Sequence, residues 1–236
     1  MEIKKILENG ADYFLSNLSI DLVIIGYKDN KLKCLLLQLG EKWVLPGGYI
    51  KLDESVDNAV TRILKERTLL NEPHFKFLSV FGNKDRKFTD EFKQYFDRNG
   101  LEWSNDYWIN NRFVTLAYYS LVDIENTHPI PGEFDDAVAW FDFDDLPEMW
   151  LDHKTIATTA RNRLKEDVQK EHLTYNLLPD EFTMPELHRL HQTVLNEKLD
   201  RSRFQKKILS TGIFERLPKL KKETPGSNPY QYRLKE

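Results

Sequence analysis

The apolar positions of the chain follow different periods in different stretches, and each period predicts an element. Residues 18–27 and 32–39 are short apolar segments, the first containing the uninterrupted run Leu22-Val23-Ile24-Ile25, and Lys28-Asp29-Asn30-Lys31 separates them. Such runs predict strands, and the Asp-Asn centre predicts a tight hairpin. Residues 75–81, 113–122 and 137–143 predict further strands. Val56, Val60, Ile63 and Leu64 recur instead at helical spacing, with Asp53 as the candidate N-cap. Two more helices are expected, over residues 1–15 (Ile3, Ile6, Leu7 and Phe14 apolar) and 153–169. Strands interrupted by one helix and closed by another predict an α+β fold, a mixed sheet sandwiched between helices. Residues 82–112 are polar and aromatic. A connection this long inside a domain predicts a lid or rim over a pocket, the alternative being an exposed insertion with a short helix around residues 90–96.

Near residue 173 the pattern changes. Asn176-Leu177-Leu178-Pro179-Asp180 reads as a linker, and Thr183-Met184-Pro185-Glu186 combines a capping box with a proline in the first helical turn. That helix is expected to run to about residue 196, with Leu187, Leu190, Val194 and Leu195 apolar. A second helix follows the candidate cap Asp200 and ends at Gly212. Two short segments around the turn Pro225-Gly226-Ser227-Asn228 then predict a hairpin. Helix, turn, helix and hairpin in this order predict a winged helix-turn-helix, so the chain divides into domains at 1–172 and 173–236.

Charge sharpens that division. The 236 residues carry a net charge of −4, yet residues 198–235 hold eleven Lys or Arg against Asp200, Glu215 and Glu223. One sign of charge over two adjacent elements predicts a module that grips double-stranded DNA. Arg201, Arg203, Gln205, Lys206 and Lys207 are the candidates on the second helix, and Lys219, Lys221 and Lys222 those on the hairpin. Arginine and glutamine can read base edges, whereas lysine mostly meets phosphates. A merely solvated charged face is the bland alternative. The apolar runs are too short to span a bilayer and no leader pattern opens the chain, so a cytoplasmic protein with no membrane partner is expected. The single cysteine, Cys34, is expected to be a strand residue. His188 and His191, three apart, are expected to be ordinary helix-surface residues, with no further ligand spacing to make a metal site.

The segment from Gly48 to Leu70 resembles the Nudix box, G-x5-E-x7-R-E-U-x-E-E-x-G-U with U apolar. Gly48, Glu54, Arg62, Leu64, Glu66 and Leu70 match it, while Ile63, Arg67 and Leu69 replace two glutamates and a glycine. The family's helical glutamates hold the divalent ions that activate water on a diphosphate. Ile63 cannot ligate a hard cation, and Arg67 adds a positive charge where an ion would sit. No catalytic residue, metal or cofactor is therefore expected.

With its basic C-terminal part, the whole chain is similar to bacterial Nudix-type transcriptional regulators. Residues 53–57, 116–122, 141–147, 152–153, 176–179 and 200–204 carry the likeness, which is closer to the arabinose-responsive branch than to the ADP-ribose-sensing one. The resemblance implies a homodimeric repressor whose non-catalytic Nudix domain binds a small effector and alters the grip on a palindromic operator. For the effector, a pentose by this likeness, the candidates are Trp43, Tyr49, Asp85, Arg86, Arg112 and Tyr118, which offer aromatic faces with donors and acceptors. Three alternatives stay open: a Nudix hydrolase of a nucleoside diphosphate compound, a regulator that senses ADP-ribose, and a protein-interaction scaffold.

Overall fold

The computed structural model describes residues 6, 8–70, 74–98, 100, 102–132, 135–171, 176–220 and 228–235. Its first strand, β1 (Phe14–Lys28), organises a seven-stranded mixed sheet. One side of β1 pairs antiparallel with β2 (Lys31–Leu39) and, nearer its start, with β4 (Gly47–Lys51). Its other side pairs in parallel with β6 (Val114–Leu121), which in turn pairs with β5 (Lys76–Phe81). β3 (Lys42–Val44) and β7 (Ala137–Asp142) attach to β2. Asp29 and Asn30 both adopt positive φ, 54° and 58°, as a two-residue hairpin turn demands.

The unbroken apolar run in β1 follows from its position between two helical layers. Ile20, Leu22 and Ile24 pack with Ala59, Val60, Ile63 and Leu64 of α1 (Val56–Thr68). Val23 and Ile25 face the other way, toward Ile156, Ala160 and Leu164 of the long C-terminal helix of this half, His153–Glu171. Both faces are dry, so the strand has no polar side to show. Each such side chain, fully withdrawn from water, contributes about 1.5–3 kcal/mol. Cys34 is one of these strand residues, and burial pushes its thiol pKa well up.

Three local expectations need correction. Ser55, not Asp53, caps α1, its Oγ accepting the Asn58 N–H at 3.2 Å, because the helix begins only at Val56. The helix expected over residues 1–15 does not reach Phe14. Residues 1–5 and 7 lie outside the described ones, Gly10–Asp12 is a single 3-10 turn, and Phe14 already belongs to β1. The ring of Trp108 occupies the space where a Cβ on Gly10 would lie, 2.2 Å away, which explains a glycine there. The third concerns His188 and His191. Both rings meet the edge of Phe204, at 5.1 and 4.9 Å, and His191 is buried, so they join two helices rather than face water.

The stretch after β5 contains α2 (Thr89–Arg98), close to the helix expected there. The helix beginning at His153 is α3. Beyond it come β8 (Phe182–Thr183), α4 (Met184–Leu195), α5 (Arg201–Ser210), β9 (Phe214–Lys219) and β10 (Tyr230–Leu234). The three strands form a sheet in the order β8-β10-β9, and the whole is a winged helix. Thr183 and Glu186 close the expected capping box, with the Thr183 N–H donating to Glu186 at 2.7 Å. Leu187, Leu190, Val194, Ile208 and Phe214 continue the apolar cluster of α3 without a break. Thr193 of α4 also donates to the Asn30 carbonyl in the first hairpin, at 3.3 Å.

Candidate functional site

The Nudix-like box folds as a loop and helix whose charges satisfy one another. Arg62 donates to both Glu54 oxygens, at 2.5 and 3.1 Å, to the Tyr49 carbonyl at 2.8 Å and to Glu66 at 3.4 Å. Glu54 also accepts the Lys51 N–H at 2.8 Å. Hydrogen bonding from Arg62 is the largest cause holding the Glu54 carboxyl below its usual pKa. Arg67 reaches across to Asp135 at 2.6 Å, and Asp135 also accepts the Gly132 N–H at 2.6 Å. Ile63 is buried, and its Cδ1 would lie 3.0 Å from a Cβ on Gly48, so glycine permits this approach of loop to helix.

The carboxylates of the box are engaged as follows. Both Glu54 oxygens accept from Arg62, and α1 carries two further carboxylates, Asp57 in its first turn and Glu66 near its end. Among the described residues no three His, Cys, Asp or Glu converge as a metal cluster.

Beside the box lies a cavity of about 300 Å³. Gly47, Gly48, Tyr49, Arg62, Ile63, Glu66 and Arg67 form its box side, and Leu37, Leu39 and Val44 another wall. Phe88, Phe92, Ile109 and Phe113 come from the long segment after β5 and its return. That segment therefore supplies a wall of the cavity. Phe88 and Phe92 pack on Trp150 at 5.8 and 5.7 Å, while Tyr49 meets Trp108 and Phe113 at 4.8 and 5.4 Å. Burial raises the pKa of the Tyr49 hydroxyl.

The floor of the cavity carries polar groups on β1 and at the start of α3. Ser19, Asp21 and His153 line it and are all more than nine-tenths buried. Behind them Arg86 donates to Asp21 at 2.6 Å and to Asp152 at 3.0 Å. The Leu45 N–H donates to His153 Nδ1 at 2.9 Å, which leaves the ring proton on Nε2. Burial is the main cause of a lowered His153 pKa, so the ring is held neutral.

The expected effector residues are thus divided. Tyr49 lines the cavity and Arg86 underlies its floor. Trp43 instead stacks edge-on against Phe141 at 4.5 Å, in the core beyond β2. Asp85 is exposed in a turn, and Arg112 is exposed with its guanidinium on the Gly82 carbonyl at 2.6 Å. Tyr118 packs between Phe75 and Phe77, away from the cavity. Spacing along the chain could not separate these cases, because each side chain's direction depends on its register in the sheet. Ser19, Asp21 and His153 were missed as site residues. One signal was available: Ser19 and Asp21 alternate at period two just before an apolar run, which marks one face of β1 as polar there.

In the winged helix, Phe204 and Ile208 turn α5 toward its own core, and Arg201, Arg203, Lys206 and Lys207 are exposed on the outer side, with Gln205 half-buried. Asp200 caps the helix by accepting the Arg203 N–H at 2.8 Å. In the wing, Arg216 and Lys219 lie over the ring of Tyr230, at 4.6 and 5.2 Å. Lys221, Lys222 and most of the expected turn lie outside the described residues.

A mixed sheet between helices, a box-like loop and helix at a cavity, and an appended winged helix define a Nudix fold joined to a nucleic-acid-binding type of module. Residues 18–161 match the NUDIX domain, and residues 174–234 match the NrtR DNA-binding winged helix domain. The chain belongs to the NUDIX domain family. It is 24% identical over 214 residues, 87% of this chain and 77% of the other, to an ADPR responsive transcriptional repressor NtrR of Acinetobacter baylyi. It also resembles the crystal structure of Shewanella oneidensis NrtR complexed with a 27mer DNA, with a TM-score of 0.74, 26% identity and coverage of 93% of this chain and 94% of that one. A MutT/nudix family protein from Enterococcus faecalis shares the fold, with a TM-score of 0.69 at 23% identity over 94% of this chain and 88% of that one. The closer likeness to the arabinose-responsive branch finds no support among these relatives.

Proposed function

We propose that this protein is a DNA-binding transcriptional repressor of the NrtR type, with residues 1–172 as a non-catalytic effector domain for ADP-ribose and residues 173–236 as the operator-binding domain. The observation that carries the reading is the union, in one chain, of a cavity beside a self-satisfied box and an outward basic helix on a winged helix. Likeness to the ADPR responsive repressor of Acinetobacter baylyi and to the DNA-bound NrtR of Shewanella oneidensis spans both parts, and the former favours ADP-ribose over a pentose. The protein works as a homodimer on a palindromic operator, α5 entering the major groove and the wing holding a phosphate backbone. The effector changes DNA affinity only by preferring one arrangement of the two domains, and the continuous α3–α4 core is the element both sites bias.

Operator selection from a random duplex pool, followed by fluorescence anisotropy with and without ligand, tests this. ADP-ribose should weaken operator binding and arabinose should leave it unchanged. A response to arabinose alone would restore the sugar-sensing reading, and no specific duplex at all would favour a protein-interaction module.

A further inference from the structure

The floor of the cavity holds donors that the protein leaves without partners. Ser19 Oγ, His153 Nε2 and Arg86 Nη1 are all buried and hydrogen-bond to nothing among the described residues. A buried donor without a partner costs about 1–3 kcal/mol, so three in one place mark a spot built to receive something. Two of the three, on Ser19 and His153, belong to residues that line the cavity itself.

Charge and spacing specify what the spot receives. One guanidinium, that of Arg86, faces two carboxylates, Asp21 and Asp152, beside a neutral imidazole. The group carries an excess of negative charge, which disfavours a phosphate or carboxylate at the floor. His153 Nε2, a donor, stands 4.0 Å from Asp21 Oδ2, an acceptor. A single oxygen at about 2.8 Å from each spans that gap, provided it both accepts and donates. A hydroxyl does both, and neither an ether nor a phosphoryl oxygen can. Ser19 Oγ, two residues from Asp21 on the same face of β1, can serve a neighbouring hydroxyl.

We infer that the floor formed by Ser19, Asp21 and His153 binds the hydroxyls of a ribose ring, so that the cavity holds its ligand with a sugar inward and any diphosphate toward the arginines of the box. This rests on the ADP-ribose reading above and assigns the polar contacts within it. The ring is the terminal ribose or the adenosine ribose, which share the same hydroxyl chemistry.

Calorimetric titration of ADP-ribose and of ADP, which lacks the terminal ribose, into the full-length protein and two variants tests the assignment. His153→Asn keeps an acceptor for the Leu45 N–H and removes the distal donor. Ser19→Ala removes a hydroxyl that has no partner, so it should raise the thermal midpoint of the ligand-free protein while weakening binding, a pairing that a purely structural serine would not give. Each variant should bind ADP-ribose about tenfold more weakly than wild type. An effect seen with ADP-ribose and absent with ADP assigns the terminal ribose, and an effect seen with both assigns the adenosine ribose. Wild-type binding of ADP-ribose that neither variant weakens would overturn the inference and leave the ADP-ribose reading standing. Failure of the wild type to bind ADP-ribose would overturn that reading itself, and the inference with it.

Discussion

Two groups of carboxylates and guanidiniums flank the same cavity, and they are completed differently. At the box, Arg62 fills its hydrogen bonds with Glu54, Glu66 and the Tyr49 carbonyl. At the floor, Arg86 holds Asp21 and Asp152 but has one nitrogen without a partner among the described residues, and His153 beside it has another. A group whose donors and acceptors are closed on themselves keeps a fold in shape. A group left open under a cavity has capacity for a ligand. The box is the part of the sequence that resembles a catalytic motif, and its Glu54 and Arg62 are paired with one another, whereas the unpartnered groups at the cavity floor, among the described residues, lie on β1 and at the start of α3.

The sharpest way to break this contrast is to remove one member of each cluster in turn. Arg86→Ala strands two carboxylates in the interior and should cost about 3–5 kcal/mol in chemical denaturation. Glu54→Ala, at a partly hydrated pair, should cost only about 1–2 kcal/mol through the lost bonds to Arg62 and the Lys51 N–H. Equal costs would mean that the two clusters do not differ as described.

A third set of cations, on α5, is exposed, and here the partner is expected to be DNA. Arg203→Ala and Lys207→Ala should each lower the slope of log operator affinity against log salt by about 0.9. Unchanged slopes for both would remove α5 from the interface.

The smallest effect concerns pH. A folded pKa held below the ordinary histidine value means that the unfolded chain binds the proton more readily, so stability is full above about pH 6.5 and declines as pH falls below it. His153→Asn should flatten that decline in denaturation midpoints measured between pH 7 and 5. An identical decline in the variant would place the responsible group elsewhere.

Much of the frame was legible in the sequence because it depends on local chemistry. The Asp29-Asn30 turn, the Thr183 and Glu186 capping box and the Asp200 cap each act over three or four residues, and the apolar run of β1 reports its burial directly. The site was less legible because its parts meet only through the sheet. Asp21 finds Arg86 at 65 residues' distance, and His153 finds Leu45 at 108. β3 and β4, three and five residues long around Pro46-Gly47-Gly48, carry too little pattern to be read as strands. The aromatic wall from residues 88–113 was visible as composition and as a long connection. Which of its rings face the cavity is settled by packing against Trp150 and Tyr49.

The central claim, that the Nudix domain holds ADP-ribose without cleaving it, is tested most directly by phosphorus NMR of ADP-ribose mixed with stoichiometric protein in a magnesium buffer free of manganese. The expected result is a pair of diphosphate resonances shifted by binding and constant in area over hours. Replacement of that pair by the separate monophosphate signals of AMP and ribose 5-phosphate, abolished by Glu66→Gln, would contradict the claim and make the box a working catalyst.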